Sequence, residues 1–141
     1  MPAFIQVTIT QFRPLGGVFP ISAVFATPNP TPGVVVSNGN ILVKTDRPTN
    51  LVFQIGDPAF VFIGAAFDTK APDTDVGTTE FPLVTINRSS SGNLPPNCIS
   101  VTDANLQQNY DKSYSYVLLV QNTVTGEIGI IDPNIVGEPG P

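Results

Sequence analysis

Short apolar runs cut apart by proline and glycine are the feature that most constrains this chain. Fifteen prolines and twelve glycines are spread over 141 residues, and a helix interior tolerates neither residue well. What lies between them has the chemistry of strands. Ile5, Val7 and Ile9 alternate with Gln6, Thr8 and Thr10, the two-residue period of a strand with one wet face. Val18 to Ala26 is apolar and β-rich but carries Pro20, which cannot donate to a ladder and so predicts an edge strand or a bulge. The alternate prolines of Pro28-Asn29-Pro30-Thr31-Pro32-Gly33 predict an extended connector, either a stiff surface loop or a docking arm for a partner.

Further strands are expected at Val34 to Ser37, Ile41 to Thr45 and Leu51 to Ile55, the first two joined as a hairpin through Asn38-Gly39. Ala59 to Phe67 is apolar at both parities, with Phe60 and Phe62 set against Val61, Ile63 and Phe67. That pattern predicts a strand covered on both faces, central in its sheet or at an interface. Phe81 to Asn87 is a strand with Pro82 near its start, flanked by loops at Lys70 to Thr79 and Arg88 to Asn97. Cys98 to Thr102 is short and β-like, and Asp103 to Asp111 is at most a helical turn capped by Asp103. Ser113 to Gln121 and Glu127 to Ile131 form a second hairpin through Asn122 to Gly126. Eight to ten short strands with little or no helix predict a single domain spanning residues 1–141, an all-β antiparallel β-sandwich, immunoglobulin-like or related.

Charge narrows the partners. The formal net charge is −5, and the six basic residues Arg13, Lys44, Arg47, Lys70, Arg88 and Lys112 are all separated in sequence, which leaves no footprint for a phosphate backbone and excludes nucleic acid. No run approaches the roughly 18 apolar residues of a membrane-spanning helix, so no membrane partner is expected. A basic segment followed by an apolar one is missing after Met1, and the cytoplasm is the expected location. The single Cys98 excludes an internal disulfide and fits a reducing compartment.

Charged residues are only 12% of the chain while 41% are hydrophobic, so the surface is weakly protected against self-association.

Chemistry has few candidate residues. Histidine is absent, which removes the commonest general base, the usual partner of a serine or cysteine nucleophile, and the commonest metal ligand. Cys98 lies in an apolar segment and reads as a buried structural thiol. Asp68, Asp73 and Asp75 with Thr69 and Thr74 form the one local acidic cluster; hard oxygen ligands on a loop suit Ca²⁺, but the glycine and distal glutamate of an EF-hand are missing, and a solvated loop is the plainer reading. Asp132 and Glu138 each precede a proline, a turn-forming pattern that also admits a carboxylate pair. Arg88-Ser89-Ser90-Ser91-Gly92-Asn93 lacks the strand, lysine and helix of a phosphate loop. Asn87-Arg88-Ser89 matches a glycosylation sequon, which matters only in a secreted chain.

All three tyrosines, Tyr110, Tyr114 and Tyr116, lead into the strongest late strand. They predict a corner where a hydroxyl bonds back to the main chain rather than an aromatic platform for a carbohydrate. Tyr114, Tyr116, Leu118 and Val120 are expected on one face, Val117 and Leu119 on the other.

The end of the chain joins these elements into a pattern. Tyr114-Ser115-Tyr116-Val117-Leu118-Leu119-Val120, a Thr125-Gly126 hairpin, a second strand, and then Asp132-Pro133-Asn134-Ile135 and Glu138-Pro139 resemble the small bacterial proteins of the DP-EP family, named for those two dipeptides. The resemblance covers Tyr114 to Pro139 and implies a compact, mostly β domain with no assigned activity. The same ending is also similar to that of bacterial inclusion-body proteins, which implies self-assembly. Pro133 and Pro139, lacking ladder donors, are expected to end the sheet after its final strand.

These features predict a non-enzymatic structural or protein-interaction module that forms a homo-oligomer, with no catalytic, cofactor-binding or metal-binding residue assigned and no cofactor. The alternative is a small-ligand module binding Ca²⁺ at Asp68 to Asp75 or a carbohydrate on exposed aromatics. An enzyme would have to work with carboxylates, lysine, tyrosine or hydroxyls alone.

Overall fold

Alternation along the first strand becomes a buried row and a wet row. β1 (Pro2–Gln11) buries Ala3, Ile5 and Val7 and exposes Phe4, Gln6 and Thr8. The structure, a computed structural model, describes residues 2–17, 19–29, 31–37, 40–45, 47–69, 83–88, 97–104, 113–131 and 134–138, with 2, 67–69, 113–115 and 134–138 described by backbone alone. Among these residues lie eleven strands and no helix.

Two sheets divide the strands. The first is ordered β2 (Ser22–Ala26), β1, β5 (Thr49–Ile55), β8 (Cys98–Asp103), β7 (Leu83–Asn87). In the second, β3 (Val34–Ser37) is followed by β4 (Asn40–Lys44), β11 (Asn134–Glu138) and β9 (Ser113–Asn122). One edge of β9 carries β10 (Ile128–Ile131) and β11, and β6 (Phe60–Thr69) also pairs with β9. The fold is all-β, as expected, and most strand pairs are antiparallel. Two are parallel, β1 with β5 and β11 with β4, so the sheets are mixed. Each parallel neighbour arrives by a long excursion through the other sheet, and the remaining pairs are antiparallel, as expected.

The sheets face each other in a sandwich-like arrangement over one apolar cluster. Ile5, Leu51, Phe53, Ile99 and Val101 from the first sheet meet Ile41, Val43, Phe62, Tyr116, Leu118 and Val120 from the second. Phe53 and Tyr116 join the layers directly, with ring centroids 5.9 Å apart, a pairing that adds about 0.5–1.5 kcal/mol to the burial of the rings. The chain crosses between layers at the proline-rich connector. There Val34 N donates to Thr31 O at 3.1 Å around Pro32 and Gly33, and Gly33 has φ +84. These are the residues a type II turn requires at its two central positions.

The hairpin expected through Asn38-Gly39 holds: Ser37 pairs with Asn40, closing over the two residues between them. Asn122 Oδ1 accepts from the amides of Val124 and Thr125 at 2.9 and 3.3 Å, and Gly126, at φ +78, completes the second hairpin. β2 is an edge strand, as Pro20 predicted, but it starts only at Ser22, after Pro20 has passed.

Two expectations are corrected. The Phe60 to Phe67 run lies at the margin of the second sheet, paired only with β9 among the described residues. The register slips between Phe62 and Gly64: Phe60 and Phe62 stand opposite Asn122 and Val120, then Ala65 and Phe67 opposite Leu118 and Tyr116. A bulge there moves the inward row from even to odd numbers, while Val61, ahead of it on the other face, is itself half-buried. Asp103 is the last residue of β8, buried, opposite Thr49, and the turn expected after it lies outside the described residues.

The last strand, finally, comes after Pro133 rather than before it, and Pro139 is the residue that follows it in the chain. β11 lies between the two acid-proline pairs, hydrogen-bonded to β9 on one side and β4 on the other.

Candidate functional site

Most residues singled out for chemistry are dispersed or have structural surroundings. Cys98 is a free, buried thiol, and burial pushes its pKa up, away from the reactive thiolate. The Tyr116 ring is 1% exposed against Phe53, and burial likewise raises its phenol. It occupies the core side of mid-strand β9, with Leu118 and Val120 beside it, as the alternation predicts. Tyr110 lies outside the described residues, as do Asp73, Thr74, Asp75, Asp132, Pro133, Pro139 and the segment Ser89 to Asn93. Asp68, Thr69, Tyr114 and Glu138 are placed by backbone alone, on β6, β9 and β11. Among the described residues no three of His, Cys, Asp or Glu gather as a metal site would require.

Two depressions in the described surface are small. One of about 190 Å³ lies between the Arg13 to Pro20 segment and Ile130, and another of about 170 Å³ lies beside Gln6 to Ile9 and Ile55 to Asp57. Pockets for drug-sized ligands span roughly 300–1,000 Å³. The cation in the first is already engaged. Arg13 Nη1 donates to Pro20 O and Ser22 Oγ at 2.9 Å each, and Nη2 to Gln11 Oε1 at 2.8 Å. Its guanidinium carbon lies 5.7 Å from the Phe19 ring centroid.

Sheet edges are more informative. β10 would present a free edge, but Leu15 N donates to Ile128 O and Ile21 N to Ile130 O, both at 2.8 Å, so the β1–β2 segment covers it. Gly129 makes room: a Cβ there would collide with the Arg13 carbonyl oxygen and stand 2.8 Å from Ile21 Cδ1. β2 meets β1 with a register shift, β6 has its bulge, and β3 is only four residues long. Bulges, short strands and covering segments are the usual defences of an edge against another chain.

β7 has none of these among the described residues. Leu83 to Asn87 pair with Thr102 to Cys98 without a shift, and nothing in Leu83-Val84-Thr85-Ile86-Asn87 is charged or proline. Its apolar residues are uncovered. The register sets Val84 and Ile86 opposite Val101 and Ile99, the inward row of the first sheet, yet they are 37% and 38% exposed, and Leu83 on the other face is 59% exposed. The buried partners, both 0% exposed, show that the core continues up to β8 and stops short of β7. β6 runs along the same margin and contacts β7 and β8.

Asn97 holds the base of this margin. It is the one non-glycine residue at positive φ, 54°, among those described, and its Nδ2 donates to Ile55 O at 2.9 Å and Phe60 O at 2.8 Å. A short polar side chain that tolerates the left-handed region thereby ties the starts of β6 and β8 to the end of β5. Sequence reasoning recognised Phe81 to Asn87 as a strand but attached no role to it. The available signal was the absence of charge and proline across its last five residues.

No family model and no curated protein matches this chain. No helix among the described residues is long and apolar enough to cross a membrane.

Proposed function

We propose that this protein is a non-enzymatic structural or interaction module, an immunoglobulin-like β-sandwich or a close variant, that associates with copies of itself. One observation carries the reading: among the described residues β7 is a regular, uncharged edge strand whose inward residues Val84 and Ile86 are more than a third exposed. Low overall charge supports it, since weak mutual repulsion between copies leaves apolar edges free to meet. The resemblance of the tail to bacterial inclusion-body proteins is in keeping with self-assembly. A reducing, cytoplasmic setting belongs to the same proposal and is supported by the free, buried Cys98.

Light scattering on gel-filtered protein from micromolar to millimolar concentration tests the reading. An oligomer that dissociates on dilution is the expected outcome, and a monomer throughout the range would refute it. Binding of Ca²⁺ or a glycan, read as a rise in melting temperature, would favour the small-ligand reading instead.

A further inference from the structure

We propose that β7 is the docking strand and that its occupant is β7 of a second copy, paired antiparallel about a two-fold axis through Thr85. The inference rests on the self-association proposed above and adds its site, register and symmetry.

The strand is complementary to itself. With all five residues paired in an antiparallel ladder, Thr85 stands opposite Thr85 of the second copy, Val84 opposite Ile86, and Leu83 opposite Asn87. Directly opposite residues lie on the same face of a sheet. The half-exposed Val84 and Ile86 of each copy therefore meet on the inward face, next to the buried Val101 and Ile99. The apolar row that stops at β8 in one copy continues through both. An isologous contact also closes on itself and leaves no further edge of the same kind, which favours a discrete dimer over a filament.

Charge selects the direction. Arg88, exposed, immediately follows the strand, and antiparallel pairing sends the two copies of Arg88 to opposite ends of the ladder. At about 3.4 Å per residue they stand roughly 20 Å apart, beyond the screening length of about 8 Å at physiological salt. Parallel pairing would set them side by side. The uncharged interior of the strand adds no repulsion of its own, whereas a lysine at an inward position is a device that keeps such edges apart.

Cysteine placed on the axis tests the register. Thr85→Cys brings two thiols opposite each other, with side-chain roots about 4.5–5.5 Å apart, close enough for a disulfide after small adjustment. In a glutathione redox buffer Thr85→Cys is expected to form a covalent dimer, while Leu83→Cys, facing Asn87 of the second copy, and the native chain are not. Ile86→Lys is expected to weaken dimerisation about tenfold or more, with its circular dichroism spectrum unchanged. Slower amide exchange of residues 83–87 at high protein concentration gives a readout without substitution. If the native protein is oligomeric but Thr85→Cys does not cross-link, or cross-links no better than Leu83→Cys, the β7 pairing is wrong while self-association stands. A native protein that stays monomeric at millimolar concentration overturns both.

Discussion

At the scale of single residues, small groups decide whether the layers fit. Gly129 is the sharpest case, because the Arg13 carbonyl and the Ile21 side chain occupy the space a methyl group would need. Gly129→Ala should lower unfolding free energy by about 1–3 kcal/mol in urea titrations. Gly56→Ala, with nothing within 4 Å of the added carbon, should be neutral or slightly stabilising. Cys98 gives a prediction in pH. Burial raises its pKa above the ordinary 9.0, so the unfolded chain loses the thiol proton first as pH rises. The stability held by the neutral thiol is complete below the unfolded value and declines as pH climbs through it toward the folded one. Cys98→Val should flatten the fall in stability above about pH 8.5. Tyr116, also raised by burial from 10.0, should preserve a second decline at higher pH, and the comparison is made by urea unfolding across the alkaline range.

At the scale of elements, β10 and β11 behave as one strand. Ile131 pairs with Leu118 and Asn134 with Ser115, so both strands meet β9 in the same register. The partner on the far edge changes over the same interval, from the β1–β2 segment at β10 to β4 at β11. Arg13 supports the first of these partners by holding Gln11, Pro20 and Ser22 together. Arg13→Ala should cost about 1–3 kcal/mol, and the amides of Leu15 and Ile21, which bond to β10, should exchange with deuterium faster than those of β5.

At the scale of the whole molecule, association through a backbone ladder and four aliphatic side chains should be nearly indifferent to salt. The dissociation constant, measured by sedimentation, should change less than about threefold between low and molar NaCl, whereas contact through charged groups would weaken steeply. Much of the architecture was legible in the chain: alternation placed β1 and the inward row of β9, Asn38-Gly39 placed the first hairpin, and Pro20 marked β2 as an edge. These signals are local, carried by side-chain period and backbone conformation. The bulge in β6, the parallel neighbours of β1 and β11, and the strand between the acid-proline pairs were not legible, because each depends on which distant strand supplies the ladder. The margin at β7 belongs with them. By itself the sequence determined strand chemistry, turn positions and a weakly charged surface, since those follow from each residue and its immediate neighbours. Only the tertiary structure decided that Val84 and Ile86 lie beyond the reach of the opposite sheet, because exposure depends on where the facing layer ends.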